Sequence, residues 1–313
     1  MTSVLYAGID TAKSHLDAAT RQRSLGRHPN TAAGWKQLGK RLLQAGVTHA
    51  VFESTGGYEL PAVDALQSMG LAVCIVKPVS VRRFAEAMDI LAKSDRIDAR
   101  VIAAFAESRQ PRERVQPSPQ QQEIRALFDR RSQIVEDRVR EEGRLETVLD
   151  REVAKLIRSN IRRLKKEEER LTKRLATLQA ASQALLEQAQ RWQEIAGVGL
   201  MTALAIQAYL PEIGTLSRQQ IGALVGVAPF ERSSGTHQGK RSIRGGRAQL
   251  RRVLYMSAMT AVRFDAKLKH FYQDLRKRGK QNKVALIASL RKLAVRINAI
   301  EKEWLEKQAL MAG

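Results

Sequence analysis

Short apolar runs alternate with amphipathic segments in the first third of the sequence. Apolar runs at residues 4–10 and 16–20, with turn-like residues 26–30 beyond them, indicate the start of a strand meander. The pattern then predicts helices and strands in alternation, with a Thr-Gly-Gly turn at 55–57. These elements are a helix at 35–43, a strand at 50–53, a helix at 61–69, a strand at 71–76 and a helix at 95–108. An α/β unit over residues 1–110 is therefore expected, followed by a linker marked by Pro111, Pro117 and Pro119.

The middle of the chain, residues 111–190, has the pattern of long helices. From residue 121 to residue 191 it contains no proline and only Gly143, and charges of both signs alternate. A heptad repeat runs from residue 161 to residue 185, with Glu168 and Ser182 as polar residues at a positions. Its apolar a and d positions are Ile161, Leu164, Leu171, Leu175, Leu178 and Leu185. Such a seam needs a partner helix, either from a hairpin in the same chain or from another subunit.

The last third, residues 191–313, is helical in pattern and is interrupted by a loop at 228–246. It opens with Ile-Ala-Gly-Val-Gly at 195–199, followed by an apolar helix through Tyr209. A Gly-x-Gly turn before a helix can present backbone N–H groups to a phosphate, but a tight turn without a ligand explains it equally well. The fold class expected is α/β followed by α, with long coiled-coil helices and a mostly helical carboxyl-terminal domain.

Charge gives the first indication of a partner. The 313 residues carry 54 Lys and Arg against 32 Asp and Glu, a net charge of +22, which favours a polyanionic partner. The surplus is +4 in residues 1–110, +4 in 111–190 and +14 in 191–313. Aromatic residues are only 5% of the chain, so a duplex or structured nucleic acid fits better than bases stacked on aromatic rings. A hydrophobic fraction of 43% excludes disordered and collagen-like chains.

The cysteine content and the lengths of the apolar runs bear on the cellular location of the protein. The single cysteine, Cys74, excludes a disulfide framework and a cysteine zinc site within one chain, and its apolar neighbours favour a buried thiol. No signal-peptide pattern and no apolar run of about 18 residues is present. We therefore expect a cytoplasmic protein with no membrane partner.

Four acidic residues stand where metal-dependent chemistry would need them. Asp10 and Glu53 each end an apolar strand, and Asp95 and Asp98 are three residues apart in a predicted helix, on one face. Four such carboxylates can ligate two divalent cations for phosphoryl transfer, and Mg²⁺ suits oxygen ligands. For any single acid, a turn cap or an ion pair with a neighbouring base is the ordinary alternative. As a set, the acids have the layout of a ribonuclease-H-like nuclease core.

A second cluster lies in the loop at 228–246. Between residues 232 and 252 there are seven basic residues and no acid, which favours a phosphate-facing surface. Ser234, next to Gly235, could attack a phosphodiester, although Ser-Ser-Gly is also common turn chemistry. Tyr255 is a rival nucleophile whose apolar neighbours favour a packed helical position, and His237 is a possible acid or base. The residues expected to contact nucleic-acid backbone are Lys240, Arg241, Arg244, Arg247, Arg251 and Arg252.

These segments resemble the insertion-sequence-110 family of DEDD transposases. GIDTAK at 8–13, ESTGGY at 53–58 and KSDRIDAR at 93–100 resemble the family's acidic tetrad. The resemblance continues in order along nearly the whole chain. Its later segments are GVG at 197–199, AP at 228–229, SG at 234–235, RGG at 244–246 and LRRVLY at 250–255.

The resemblance implies three domains and a composite active site. They are a RuvC-like, ribonuclease-H-fold domain at 1–110, a coiled-coil region at 111–190 and a transposase domain at 191–313. It implies that Asp10, Glu53, Asp95 and Asp98 bind Mg²⁺ and that Ser234, which precedes glycine as the family's serine does, forms a 5′-phosphoserine link to DNA. Ser233 is the alternative if the loop shifts by one residue. It further implies a bridge RNA that pairs with donor and target DNA, a homodimer or tetramer on DNA, and a place at the bacterial nucleoid.

Two other functions are compatible with the same residues. A nuclease of Holliday-junction-resolvase type would cut through metal-activated water, and Ser234 would only bind DNA. A noncatalytic nucleic-acid-binding scaffold would need neither the serine nor the acids. A nucleophilic serine conserves bond energy in a covalent intermediate, so its presence beside the acids favours breakage with rejoining.

Overall fold

A mixed five-stranded sheet forms the centre of the amino-terminal part of the chain. The first three strands, β1 (Tyr6–Thr11), β2 (His15–Ala19) and β3 (Ser24–Pro29), form an antiparallel meander. Strands β4 (His49–Glu53) and β5 (Ala72–Val76) are parallel to β1, and the strand order is β3-β2-β1-β4-β5. The meander and both parallel strands confirm the strands predicted from the apolar runs.

Helices cover both faces of this sheet. On one face lie α1 (Ala32–Gln44) and α2 (Leu60–Ser68), which pack on Ile9 and Phe52. On the other face lie α3 (Pro78–Ala87) and α4 (Asp95–Arg109), whose apolar side chains pack with Val51 and its neighbours. The result is a three-layer α/β/α arrangement, because successive residues of each strand point to opposite faces.

Two details of this region differ from the sequence prediction. Residues 26–30 were expected as a turn, but 26–29 pair with β2 as part of β3, and Gly26 has a φ of +99° where the pairing shifts register. Helix α3 was not predicted, because only Val81 of its ten residues is buried and Lys77 makes no side-chain cap, so the segment has little apolar periodicity.

The computed structural model describes residues 4–90, 95–230, 233–234, 237–238 and 242–312, and for 95–97, 233–234, 237–238 and 312 it describes the backbone alone. The chain divides into two compact units, Met1–Gln116 and Pro117–Gly313. The boundary falls within the proline-containing linker predicted at 111–119.

The second unit begins with a helical hairpin. Helices α5 (Pro119–Thr147) and α6 (Arg151–Ala180) pack along each other, and Leu164 and Leu171 of α6 pack with Ile134 of α5. The heptad seam therefore has a partner helix in its own chain.

A polar network crosses the hairpin at Glu168, the polar residue of the seam. Its carboxylate accepts hydrogen bonds from Arg131, at 2.7 Å, and from Arg138, at 3.1 Å, both on α5. Ser182, the second polar residue, lies outside α6: it caps α7 (Gln183–Gln193) by accepting the N–H of Leu185. A continuous register through residue 185 was therefore wrong, because the helix ends at Ala180.

The rest of the unit is a helical core around a fully apolar helix. Helix α8 (Leu200–Tyr209) is buried over most of its length, and Trp192 lies beside it with no exposed surface. Ile124 and Phe128 of α5 belong to this same core, so the domain boundary placed at residue 190 stays a prediction. The remaining helices are α9 (Arg218–Val225), α10 (Ala248–Phe264), α11 (Ala266–Lys277) and α12 (Asn282–Ala312).

Candidate active site

Two acidic residues lie side by side on neighbouring parallel strands of the first unit. Asp10 is in β1 and Glu53 is the last residue of β4, and the parallel register pairs Ile9 with Phe52 immediately before them. Ile9 and Phe52 are buried under α1 and α2. Because side chains alternate along a strand, Asp10 and Glu53 both belong to the opposite face, which α3 and α4 cover.

Helix α4, which carries a third acid, packs closely on this face of the sheet at Gly8. A Cβ on Gly8 would overlap the carbonyl oxygen of Ala99 and would lie 2.6 Å from the backbone nitrogen of Ala103. Gly8 is on the same face of β1 as Asp10, two residues before it, and Asp98 directly precedes Ala99. The amino-terminal half of α4 therefore packs on β1 at Gly8, and Asp98, at its start, is half-buried.

The fourth predicted acid, Asp95, opens α4, and its side chain lies outside the described residues. Among the side chains that the structure does describe, no three His, Cys, Asp or Glu residues form a ready-made metal site. The donor chemistry nevertheless fits a divalent cation, since Asp10 and Glu53 share one face of the sheet, the helix that covers this face carries Asp98, and carboxylate oxygens suit Mg²⁺. We refer to these three residues and Asp95 as the acidic edge.

Glu59 was not singled out in the sequence, yet it organises the turn that follows Glu53. Its side chain is buried, and one carboxylate oxygen accepts the N–H groups of Thr55, at 3.1 Å, and Gly57, at 2.9 Å. Gly56 and Gly57 have φ values of +70° and +105°, which favour glycine. The signal in the sequence is an acid just after a diglycine turn, where backbone N–H groups need an acceptor.

Asp17 is a further carboxylate beside Asp10 that the sequence analysis missed. It is the direct antiparallel partner of Asp10 in β2, and it is buried. Arg27 of β3 donates three hydrogen bonds to its carboxylate, from Nη2 at 2.8 Å and from Nε at 3.0 and 3.2 Å, and His15 lies 3.5 Å away. Arg27 reaches Asp17 because β3 pairs with β2. The sequence predicted a turn at residues 26–30, and a turn would not bring these two side chains together.

The predicted nucleophile, Ser234, lies in the second unit in a short β-ribbon. Within the region predicted as a loop, β6 (Pro229–Phe230) pairs with β9 (Ser242–Ile243), and β7 (Ser233–Ser234) pairs with β8 (His237–Gln238). The register places Ser234 opposite His237 and Ser233 opposite Gln238. The loop prediction was therefore incomplete, since two-residue strands leave no periodic pattern in a sequence.

The base of this ribbon is fixed by backbone contacts between its two ends. Gly226, at a φ of +77°, ends α9, and a Cβ on Gly246 would lie within 3 Å of its backbone and of the Leu224 carbonyl. Arg251 donates to the carbonyl oxygens of Gly245, at 2.6 Å, and Val225, at 3.3 Å. The segment that carries Ser234 therefore leaves and rejoins the helical core at one anchored point.

The basic residues predicted to contact nucleic acid have different environments. Arg244 is exposed, with its guanidinium 4.7 Å from the centre of the Phe230 ring. Arg247 forms a two-point ion pair with Glu212, at 2.6 and 2.8 Å, and exposed Arg252 pairs with Glu136. Lys240 and Arg241 lie outside the described residues. Arg247 and Arg251 thus have roles within the chain, and a guanidinium with five donors can also contact a phosphate.

The Gly-x-Gly turn before α8 has a packing role. Gly197 has a φ of +92°, and a Cβ there would lie 2.6 Å from the carbonyl oxygen of Ser257 and 2.8 Å from the nitrogen of Ala261, both in α10. Gly199 is the N-cap of α8 and has open space around it. Helix packing therefore explains the first glycine without a ligand, and phosphate binding at this turn stays a prediction.

Two other candidate reactive groups are packed. Cys74 is fully buried, and its thiol donates to the carbonyl oxygen of Pro111 at 3.2 Å. Burial, with a smaller contribution from Glu113, raises the pKa of the Cys74 thiol to about 12. Tyr255 is partly buried against the core of the second unit. The buried-thiol prediction is confirmed, and the packing of Tyr255 agrees with the helical position expected for it.

Comparisons with known proteins match the segment that carries the acidic residues and the segment that carries Ser234. A transposase family model for the DEDD domain of IS110 elements matches residues 7–153, and the model "Transposase IS116/IS110/IS902 family" matches residues 189–273. The pilin gene-inverting proteins of Moraxella bovis and Moraxella lacunata are each 26% identical over 308 residues, covering 93% of this chain and 94% of the relative. An uncharacterized 43.6 kDa protein of insertion element IS110 from Streptomyces coelicolor is 33% identical over 94 residues, covering 29% of this chain and 23% of that protein.

The matches agree with the expected fold and chemistry at a coarse level. A mixed five-stranded sheet with helices on both faces is consistent with the ribonuclease-H-like fold of DEDD transposases, and that domain implies dependence on a divalent metal. None of the helices in the described part of the chain combines the length and the apolar character needed to cross a bilayer.

Proposed function

Because the chain belongs to the IS116/IS110/IS902 family of transposases, we propose that it breaks and rejoins DNA at sites chosen by a bridge RNA, through a 5′-phosphoserine intermediate on Ser234. The observation that supports the proposal is the packing of Ala99 on Gly8, since Asp98 precedes Ala99 and Asp10 follows Gly8 by two residues on the strand next to the one that ends at Glu53.

The acidic edge would hold Mg²⁺. Asp10, Glu53, Asp95 and Asp98 are the ligands proposed, on a RuvC-like domain at residues 1–110. Mg²⁺ bound there would stabilise negative charge on the oxygens of the scissile phosphate. The role of the chain's own residues is to hold these oxygen ligands on rigid elements, with Glu59 fixing the turn after Glu53 and Arg27 compensating the nearby charge of Asp17.

Ser234 would supply the nucleophile. Its Oγ bonds to phosphorus, the bond between phosphorus and the 3′ oxygen breaks, and the hydroxyl proton passes to that oxygen, leaving a free 3′ hydroxyl. In rejoining, a 3′ hydroxyl attacks the phosphoserine and the proton returns to Ser234. His237, directly opposite Ser234 in the ribbon register, is the group suited to carry the proton.

Rejoining has support from the Moraxella relatives. Each is named as a protein that inverts a pilin gene, and inversion requires every broken strand to be sealed to a new partner. A covalent serine link retains the energy of the phosphodiester for that step, whereas hydrolysis by water does not. The relatives therefore favour a recombinase over a resolvase-like nuclease.

Nucleic acids and further copies of the chain are the proposed partners. Donor DNA, target DNA and the bridge RNA would bind basic surfaces, and Lys240, Arg241, Arg244, Arg247, Arg251 and Arg252 would contact backbone near Ser234. The net charge of +22 supports polyanionic partners. The chain would act at the bacterial nucleoid in the cytoplasm as a homodimer or tetramer, with a helical region at 111–190 and a transposase domain at 191–313, and different subunits would contribute the acidic edge and the serine.

A strand-rejoining assay tests the function. The protein is co-expressed with the noncoding flanks of its gene, and a plasmid carrying the cognate ends is scored for new junctions. We expect junctions with wild type and none with Asp10→Asn or Ser234→Ala. Continued cutting by Ser234→Ala would support the resolvase-like alternative. DNA binding without cutting or junctions, by wild type and Asp10→Asn alike, would support a noncatalytic scaffold.

A further inference from the structure

Helix α6 carries an unpaired basic stripe along its exposed side. Seven cationic residues recur at intervals of four, three, four, four, four and three residues, which keeps them on one face of a helix. All seven are exposed. They are Arg151, Lys155, Arg158, Arg162, Lys166, Arg170 and Lys173. We call this set the α6 stripe.

The opposite side of the same helix is committed to the hairpin. Ala154, Ile161, Leu164, Leu171 and Leu175 are buried on that side. The α6 stripe is therefore not needed for folding of the hairpin, and its side chains project away from the packed seam.

The cations of α6 that form ion pairs are not members of the α6 stripe. Arg163 pairs with Glu167, Lys165 with Glu142 and Arg174 with Glu123, and these cations flank the stripe. Within the described residues, no member of the α6 stripe makes an ion pair. Two exposed acids, Glu152 and Glu169, lie on the same face of the helix. Seven cations against two acids on one face repel one another, and a bound polyanion would relieve this repulsion.

The sequence of the two hairpin helices shows the same segregation. Helix α6 contains ten basic and four acidic residues, whereas α5 contains six basic and seven acidic residues. The modest surplus of +4 over residues 111–190 therefore conceals a strongly basic face on one helix.

We propose that the α6 stripe binds the sugar-phosphate backbone of duplex DNA. Its ends are about 33 Å apart at 1.5 Å per residue, close to one turn of B-form DNA at about 34–36 Å. Helix α6 contains no aromatic residue, so it offers no platform on which unpaired bases could stack. Lys and Arg side chains that contact only phosphates position a protein on the duplex and give it no sequence preference. We assign DNA as the partner because transposases of this family act on DNA.

The α6 stripe contains no residue of the ribbon that bears Ser234, and the proposal depends on neither the serine nor the acidic edge. It extends the DNA-contacting surface beyond the last third of the chain, where the sequence places the largest charge surplus. A binding measurement in the absence of divalent metal therefore tests it independently of catalysis.

The test compares two triple variants of the full-length protein that remove equal charge from the same hairpin. The first, Arg158→Gln, Arg162→Gln and Lys166→Gln, removes the centre of the α6 stripe. The matched control, Arg130→Gln, Arg140→Gln and Arg144→Gln, removes three exposed cations of α5 that already have acidic partners. Glutamine preserves helix propensity at all six positions.

Binding to a labelled 30-base-pair DNA duplex is followed by fluorescence anisotropy across a KCl series in EDTA. The plot of log affinity against log salt should become shallower by about 2.7 units for the stripe variant, at about 0.9 per lost phosphate contact, and by less than one unit for the control. Equal slopes for the two triple variants would overturn the proposal. A matched RNA duplex is the second arm, and a loss confined to RNA would also overturn it.

A single substitution replaces the triple variant of the stripe if that variant does not fold. Circular dichroism checks helix content, and if the triple variant has lost helix, Arg162→Gln takes its place. This variant should reduce the slope on DNA by about 0.9 units, and an unchanged slope would contradict the proposal.

Discussion

Ala99 packs its backbone directly on Gly8, so closely that a Cβ on Gly8 would overlap the Ala99 carbonyl oxygen. Asp98 precedes one of these residues, and Asp10 follows the other by two positions on the same strand face. The arrangement of the acidic edge is therefore set by a residue with no side chain, which couples the packing of the first unit to its chemistry.

Gly8→Ala should accordingly disturb both stability and activity. The added methyl meets backbone atoms of Ala99 and Ala103 that cannot rotate away, so α4 must move and carry Asp98 with it. We expect a loss of about 1–3 kcal/mol in the free energy of unfolding, together with loss of DNA cleavage.

Gly143→Ala is the matched control for this substitution. Gly143 lies inside α5, where a Cβ has open space, so alanine should stabilise the helix by about 0.5–1 kcal/mol. Chemical unfolding and a cleavage assay on both variants provide the measurement. Wild-type stability and activity in Gly8→Ala would contradict the account of the acidic edge.

Glu59→Ala should impair activity although Glu59 is not a proposed metal ligand. Removing the carboxylate leaves the N–H groups of Thr55 and Gly57 without their acceptor, at a cost of about 1–3 kcal/mol. The turn after Glu53 should loosen and weaken divalent-metal binding, measured by calorimetry. Glu59→Gln keeps an acceptor oxygen and should retain most of the metal affinity. Equal affinities for the alanine variant and wild type would show that this turn does not position Glu53.

Arg244 should contribute one phosphate contact. It is exposed beside Phe230 at the ribbon, with its guanidinium free of an acidic partner in the described structure. Arg244→Ala should lower the salt slope of DNA binding by about 0.9 units. Arg140→Ala, which removes an exposed arginine paired with Asp137, should leave the slope nearly unchanged. An unaltered slope in Arg244→Ala would remove this residue from the DNA-contacting set.

Asp265 should make the stability of the second unit depend on pH. Burial alone would raise the pKa of Asp265, but the backbone N–H of Leu268 and the Arg296 guanidinium outweigh burial and hold this pKa below its usual value. A depressed folded-state pKa contributes stability above the unfolded value of about 3.9, and that stability is lost as pH falls through the folded pKa.

Asp265→Asn tests this linkage. Asparagine can still cap α11, so the variant isolates the charge, and it should be less stable than wild type at pH 7 by about 1 kcal/mol. The difference should shrink as the pH is lowered below about 4. Urea unfolding at pH 7 and pH 3 measures it. A difference that persists unchanged at pH 3 would assign the effect to packing.

Much of the first unit could be predicted from hydrophobic periodicity. The apolar runs that became β1, β4 and β5 are buried on both faces, which makes them evident in a sequence. Helix α3 and strand β3 were missed because neither has such a pattern: α3 has only Val81 fully buried, and β3 is an exposed edge strand with a single buried residue, Leu25. Elements that bury little surface leave little periodicity to detect.

The site was predictable to a different degree. Asp10, Glu53 and Asp98 were predicted from strand ends and helix spacing. The structure places Asp10 and Glu53 on one face of the sheet, and α4, which covers this face, carries Asp98. Asp17 and Glu59 could not be found in this way, because their roles depend on cross-strand pairing and on the backbone of a turn. The heptad repeat predicted the need for a partner helix but could not identify it, since a seam has the same pattern in a hairpin and in a dimer.

Mapping a covalent protein–DNA adduct tests the central claim most directly. The protein, purified with the RNA from its noncoding flanks, is incubated with labelled DNA and Mg²⁺, denatured and digested with trypsin. Cleavage after Arg232 and Lys240 releases one peptide that contains both Ser233 and Ser234. We predict a nucleotide phosphate on Ser234, retained in Ser233→Ala and lost in both Ser234→Ala and Asp10→Asn. DNA cutting that requires Asp10 but leaves no adduct on this peptide would contradict serine catalysis.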